Sequence, residues 1–351
     1  MKRKSAMKNR FVMVSAALTL ALALSACGNT AEPTGTQQSE TPAPEASKYP
    51  ITIQNFAKAE GGTEWEPKEQ VFDKAPERVM ANTRPAAELL LHLGLGDKIV
   101  GVGANFGAPD TTVEEEYSKL NILADEYVGK EVTLGTNPDL VYGRGGLFDN
   151  ADWGVGTVDS LNEIGVKTYV WESSVTGGSY ASIYKDIENL GKIFDVEDKA
   201  AAFAKQLKDR QEEIASRLSS ITEQKTFAYL HMSDPNEVYV YAAQKETFFN
   251  DSFNMVKLDN IFKDTPGEVT VESLIDADPD VLIIPDWTGD DSTGAQVLKD
   301  ALYSNPKLSS MKAIKNKQIF AVDYNYMFGY SYNTIDGMEK LAREMYPDLF
   351  K

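Results

Sequence analysis

The sequence predicts an α/β protein of two lobes, each a parallel sheet covered by helices, joined by a single long α-helix. Three observations carry that expectation. Short apolar runs alternate with helix-patterned runs along most of the chain, as in parallel, helix-covered sheets. One stretch, DKAAAFAKQLKDRQEEIASRLSSI (198–221), lacks Gly and Pro and sets Ala202, Phe203, Leu207, Ile214, Leu218 and Ile221 on one helical stripe. One short phrase is written twice. KEVTLGTNPDLVY from Lys130 and VESLIDADPDVLI from Val271 each place a glutamate (Glu131, Glu272) seven residues before a proline (Pro138, Pro279) that opens an Asp-led apolar run.

The first segment, 1–26, is set apart from the fold. MKRKSAMKNR carries five positive charges and the next 16 residues are uncharged and apolar, the form of a secretory signal rather than of a membrane span. The join Leu24-Ser25-Ala26-Cys27 resembles the lipobox of bacterial lipoproteins. That resemblance implies cleavage before Cys27, lipid attachment to its thiol and an extracytoplasmic, membrane-anchored protein, held by acyl chains worth about 0.8 kcal/mol per buried CH₂. Cys27 is the only cysteine, so no intramolecular disulfide is possible. Residues 27–50 are rich in Thr, Pro, Glu, Ser and Gln without a large aliphatic, and predict a disordered tether reaching roughly 25 Å.

Residues 51–197 then predict the N-terminal lobe. ITIQ (51–54) and QVFD (70–73) read as two short strands around a Gly-containing excursion, and RVMA (78–81) as the next. Pro85 opens the helix PAAELLLHL, glycines stop it, and KIVGVG, DLVYG and KTYVWE follow as strands among helices. After the 198–221 helix, residues 222–351 repeat the pattern: strands TFAYLH, EVYVYA, DVLIIPD and QIFAVD alternate with helices, and TIDGMEKLAREMY closes the chain. The 351 residues suit two domains, and 42% hydrophobic with 25% charged residues is ordinary globular composition. A net charge of −18, or −23 once the five leader cations are removed, argues against nucleic acid and anionic lipid surfaces as partners.

In each copy of the repeated phrase the residues before the proline form a brief helix, with the glutamate in its first turn. An acid there gains roughly 0.3–1 kcal/mol from the helix dipole, which would explain one copy. Two copies at the same offset, either side of a rigid spacer, point to a paired surface device. APERVMANTRPAAELLLHLGLGDKIVGVG, NPDLVYG, VDSLNEIGVKTYVWE and VTVESLIDADPDVLII together resemble the iron-siderophore/vitamin B12 class of ABC-transporter substrate-binding proteins, from about Ala75 to the C-terminus. The resemblance implies a monomer that clamps a metal chelate between its lobes. It also implies that one exposed glutamate per lobe, Glu131 and Glu272 here, docks onto arginines of an ABC permease dimer with its ATPase subunits. A ferric siderophore complex is the expected ligand, cobalamin or haem the alternative, and no cofactor is expected.

Ligands of open α/β sheets bind beyond the carboxyl ends of the strands. Read off those ends, the ligand-binding candidates are Arg84, Phe106, Arg144, Trp171, His231, Trp287 and Tyr324, with further tyrosines in YNYMFGYSY (324–332). Aromatic faces with a few guanidiniums suit a bulky, partly anionic chelate. YGRGG (142–146) is similar to a loop of vitamin B12 binders. Only two histidines, His92 and His231, are present, too few for a bare zinc or manganese site. GVGANFG (101–107) lacks the helix that a dinucleotide fingerprint requires. GGSYA (177–181) is one glycine short of a nucleophile elbow. With His231 it makes a surface-anchored serine esterase the competing expectation from another class.

Overall fold

The structure is a computed structural model describing residues 48–287 and 293–351. The leader 1–26, Cys27 and the tether up to Ser47 lie outside the described residues. Lys48 pairs with Asp195 and Glu197, and the Tyr49 hydroxyl donates to the Ile193 carbonyl at 2.7 Å. Among the described residues no helix is long and apolar enough to cross a membrane.

The chain enters through β1 (Ile51–Ala57) and β2 (Glu66–Phe72), which pair antiparallel as a separate hairpin. Buried Asn55 ties it to the lobe. Its Nδ2 donates to the Thr168 carbonyl at 3.0 Å and its Oδ1 accepts from Val170 N at 2.8 Å. The N-terminal lobe sheet is wholly parallel, in the order β4 (Ile99–Val102), β3 (Val79–Ala81), β5 (Leu140–Gly143), β6 (Lys167–Val170). All four residues of β5 are buried, the continuous apolar run of a strand covered on both faces. Around it stand α1 (Arg84–His92), α2 (Glu114–Tyr117), α3 (Lys130–Gly135), α4 (Val158–Asn162) and α5 (Ser182–Phe194).

The spacer is α6 (Glu197–Arg217), followed by a 3-10 turn at Leu218–Ser220. At 21 residues it runs about 30 Å. Its buried stripe is Ala200, Phe203, Leu207 and Ile214; Ala202, expected on that stripe, is exposed because Ala200, two residues earlier, takes the place one turn before Phe203. The C-terminal lobe sheet is ordered β11 (Ile319–Asp323), β10 (Val281–Asp286), β7 (Lys225–Leu230), β8 (Val240–Tyr241), with β9 (Leu258–Asn260) also on β7. β8 departs from the parallel expectation and runs antiparallel to β7. The connection over 231–239 is too short for a crossover, so the strand can only turn back. The helices here are α7 (Thr247–Met255), α8 (Val271–Ala277), α9 (Thr293–Ser304), α10 (Lys312–Lys315), α11 (Tyr324–Phe328) and α12 (Thr334–Met345).

One buried apolar cluster runs from Leu89 and Tyr142 in the first lobe, through Ile187, Phe203 and Leu207, to Tyr229, Phe253 and Ile283 in the second. Arg210 on α6 adds a two-pronged tie to α12, reaching Asp336 at 2.7 Å and Glu339 at 2.8 Å. A core shared in this way resists wide separation of the lobes.

The repeated phrase is repeated in structure. Within two residues of their ends, α3 and α8 are each followed by a residue with left-handed backbone, Asn137 at φ 51° and Asp278 at φ 45°, and then by a buried proline. Asn and Asp tolerate that region, and it satisfies the rule that the residue before proline leaves the helix. The aspartate after each proline then staples the neighbouring central strand. Asp139 accepts from the backbone N–H groups of Glu77 and Arg78, both at 2.9 Å, and Asp280 accepts from Thr226 N at 3.0 Å. The Pro-Asp half of the phrase is therefore architectural. Asp139→Ala should lower stability by about 1–3 kcal/mol, as two backbone donors lose a charged acceptor. Urea unfolding checks this, with Glu131→Ala expected to lose no more than the roughly 0.3–1 kcal/mol of the helix-dipole contribution.

Candidate functional site

The carboxyl ends of both sheets meet in one cleft. Arg144 follows β5 directly, and its position is fixed by Asn82 after β3. The Asn82 Oδ1 accepts from Arg144 N and its Nδ2 donates to the Arg144 carbonyl, both at 2.9 Å. Gly143, at φ 132°, makes this possible, since a Cβ there would sit 2.1 Å from that Oδ1. Arg144 thus projects its guanidinium over the Tyr330 ring, 5.3 Å from its centroid, with the Tyr127 hydroxyl 3.5 Å away.

The opposite wall comes from the second lobe. Trp287 stacks on Tyr324 at 4.8 Å between centroids, and His231 stands edge-on to Trp287 at 5.2 Å. The Trp287 indole N–H is anchored on the Met232 carbonyl at 2.7 Å. The His231 Nδ1 pairs with the Tyr229 hydroxyl at 3.1 Å, and burial lowers its pKa, so the ring is neutral at pH 7. Glu246 faces Arg144 across the cleft and accepts from the hydroxyls of Tyr241 (3.2 Å) and Tyr330 (3.0 Å). Arg144, His231, Tyr239, Tyr241, Glu246, Tyr324, Phe328 and Tyr330 enclose a cavity of about 340 Å³. A larger groove, about 520 Å³, lies between α5 and α6 around Tyr184, Ala201 and Lys208, away from the strand ends.

The structure brings Arg144, His231 and Tyr324 to the cavity wall and Trp287 to its edge, 41% exposed. Phe106 stands one step back. Its ring meets Tyr127 edge-on at 5.3 Å and its carbonyl accepts from Asn325 Nδ2 of the other lobe at 3.1 Å. Two candidates are corrected. Trp171 is 1% exposed and packs edge-on against Tyr142, because the strand end it follows points inward to the shared core. Arg84 is committed inside its own lobe. It bonds Asn105 Oδ1 at 2.8 Å, approaches buried Glu88 at 3.6 Å and lies over the Tyr117 ring at 4.5 Å.

Tyr239 lies inside the predicted strand EVYVYA, which forms only at Val240–Tyr241, and Glu246 lies in the turn beyond it, so strand-end position points to neither. Of the YNYMFGYSY tyrosines, Tyr332 is buried away from the cleft and donates to Asp110 at 2.7 Å. That carboxylate also pairs with His92 Nε2 at 2.7 Å, so His92 is part of a contact between lobes. Among the described residues no group of three or more His, Cys, Asp and Glu could hold a metal ion. The esterase arrangement is absent. Ser179 follows a 3-10 turn and a glycine loop instead of a strand, and its N–H donates to Ser182 Oγ at 3.3 Å.

Glu131 and Glu272 occupy the first turns of α3 and α8, both exposed. Among the described residues neither carboxylate has a hydrogen-bond or ion-pair partner, unlike the aspartates eight residues on. Val132, the residue after Glu131, and Trp153 are exposed; Gly129, which precedes α3, packs on the backbone of Asp152.

Residues 79–326 match the family described as periplasmic binding protein. The uncharacterized ABC transporter substrate-binding lipoprotein YvrC of Bacillus subtilis is 27% identical over 350 residues, covering 98% of this chain and 100% of the relative. A periplasmic binding protein from Veillonella parvula superposes with a TM-score of 0.74 at 20% identity, covering 85% of this chain and 99% of that one. An ABC-type Fe3+-hydroxamate transport system structure from Saccharomonospora viridis gives 0.66 at 23% identity, with coverage of 85% and 99%.

Proposed function

This chain belongs to the periplasmic binding protein family, the substrate-binding components of ABC transporters and not enzymes, and on that premise we propose that it captures a ferric siderophore complex between its lobes for import. The observation that carries the reading is the cavity itself: aromatic faces and one carboxylate from the second lobe, closed by the Arg144 guanidinium of the first. Stacking surfaces hold a bulky chelate, and Arg144 supplies charge-assisted hydrogen bonds to its oxygens. Arg144 and Glu246 offset each other, so the cleft suits a neutral ferric trihydroxamate better than a multiply anionic ferric tris-catecholate, which calls for several cations. The Saccharomonospora viridis neighbour, a structure from an Fe3+-hydroxamate transport system, is in keeping with this choice.

Glu131 and Glu272 are the proposed contacts to the permease, one from each lobe. Cys27 is the proposed lipid attachment after loss of residues 1–26, which would hold the protein at the extracytoplasmic face of the membrane; the Bacillus subtilis relative carries the name lipoprotein. Residues 51–197, 198–221 and 222–351 serve as lobe, linker and lobe. Calorimetric titration with a ferric trihydroxamate, a ferric tris-catecholate, cobalamin and haem tests the ligand. One-to-one binding of the trihydroxamate is expected, with the catecholate weaker by about tenfold or more, near 1.4 kcal/mol. Binding of cobalamin or haem with no ferric chelate bound would overturn the reading.

A further inference from the structure

Beside the aromatic cavity lies a second one of about 300 Å³, and the two share Glu246 and Tyr330 as a partition. Its lining is different in kind. One wall is the connection between β1 and β2, which contributes Thr63, Glu64 and Trp65. That hairpin precedes residues 79–326 and so lies outside the part of the chain that matches the family. It is nevertheless built into the cleft. A Cβ on Gly145, one residue after Arg144, would lie 3.1 Å from the Trp65 ring, so the indole packs directly on the loop that carries the guanidinium.

The facing wall is the turn that leads into α7, with Lys245, Glu246 and Thr247. Two non-glycine residues in it hold left-handed backbone, Ala243 at φ 50° and Lys245 at φ 68°. Such conformations are strained and gather at ligand clamps. The partition is held as well. Tyr330, at φ 54°, has its carbonyl fixed by the Ser173 hydroxyl at 2.7 Å, and Ser173 N and Glu172 N both donate to buried Asp186. Glu64 and Lys245 face only this compartment and Glu246 faces both, with threonine hydroxyls between them. Arg144 opens only on the first.

We propose that this second compartment is a subsite for a pendant arm of the chelate, one bearing hydrogen-bonding groups and a single positive charge such as a primary ammonium. The metal-bearing body stays among the aromatic rings, and the arm passes Glu246 to reach Thr63, Glu64 and Trp65. The inference rests on the reading of the cleft as a chelate site, and it makes the N-terminal hairpin a determinant of specificity.

Ferrioxamine B, a ferric trihydroxamate with a free terminal ammonium, and its N-acetyl derivative differ only at such an arm. With the full mature protein, acetylation should weaken binding roughly fivefold, the worth of one partly exposed charge pair. Glu64→Gln should cost the amine form the same factor and leave the acetylated form unchanged, so the two losses do not add. Glu64 is exposed in a loop, and this variant should keep the wild-type unfolding midpoint. Trp65→Ala should weaken both forms. Equal affinity of the two chelates for the wild-type protein, or equal losses for both on Glu64→Gln, would overturn the subsite while leaving the cleft reading intact. So would binding of a compact cyclic trihydroxamate without any binding of ferrioxamine B. Absence of binding by every ferric chelate would remove the cleft reading and this inference together.

Discussion

A Glu131→Ala, Glu272→Ala double variant is expected to lose uptake of the ligand by more than tenfold while binding it as tightly as the wild type. Both side chains stand in the first turn of a short helix, exposed and unpartnered among the described residues, at equivalent corners of the two lobes. Their neighbours in the repeated phrase have structural work: the prolines are buried and the aspartates hold backbone N–H groups of the central strands. The glutamates do nothing comparable for the fold. Charges set far apart fix the orientation of a docked complex and speed its formation more than they add affinity, so losing both removes the register that one alone still supplies. Each single variant should therefore retain part of the uptake. Transport into vesicles carrying the permease, set beside calorimetric ligand binding, separates docking from capture. Normal transport by the double variant would refute the assignment.

Stability is expected to fall as pH rises from about 5 to about 8, and Glu88 is the main reason. It is 1% exposed on α1, where its Oε1 accepts from Asp110 N at 3.1 Å and its Oε2 has no partner. Burial raises its pKa from 4.5 to about 7, against the Asp110 N–H bond and the Arg84 charge, which favour the ionised form. Asp186, also buried, is pushed to about 7 despite accepting from Glu172 N, Ser173 N and the Tyr169 hydroxyl. A carboxyl raised in the folded state binds its proton more tightly there than in the unfolded chain. The stability it gives is complete below the unfolded pKa and is lost as pH climbs through about 7. At 1.36 kcal/mol per unit, Glu88 alone accounts for about 3 kcal/mol. Asp110 has the opposite sign: although burial opposes ionisation, hydrogen bonds from His92, Thr112 and Tyr332 hold its carboxyl well below the usual range. Its contribution is lost only in strong acid, outside this window. Glu88→Gln should match the wild type at pH 5 and exceed it at pH 8 by up to about 3 kcal/mol. Urea unfolding at the two pH values checks it, and a variant with the wild-type pH dependence would contradict it.

The elements that could be read in advance are those whose pattern is local. The α6 stripe, the apolar runs of β5 and β10 and the proline stops all follow from periodicity and backbone chemistry within a few residues. Trp171 shows where this fails. It stands at a strand end like Arg144, yet whether such a side chain points into the cleft or the core depends on the packing of the opposite lobe. Arg84 shows a second limit, since a guanidinium at a helix start looks the same in sequence whether it faces a ligand or a buried glutamate. Glu246 shows a third: a turn held by two left-handed non-glycine residues has no compositional signal. The cleft is made of long-range contacts, so strand-end position and the aromatic richness of YNYMFGYSY point to Arg144, His231 and Tyr324 but not to which strand-end residues face away from it.

Hydrogen exchange with and without a saturating ferric trihydroxamate locates the ligand on the chain. Slowed exchange should concentrate in 142–147, 229–247 and 323–332, the segments that enclose the cavity around Arg144, His231 and Tyr324. Protection confined to the α5–α6 groove around Tyr184 and Lys208, or no change in any of the three segments, would contradict capture between the lobes.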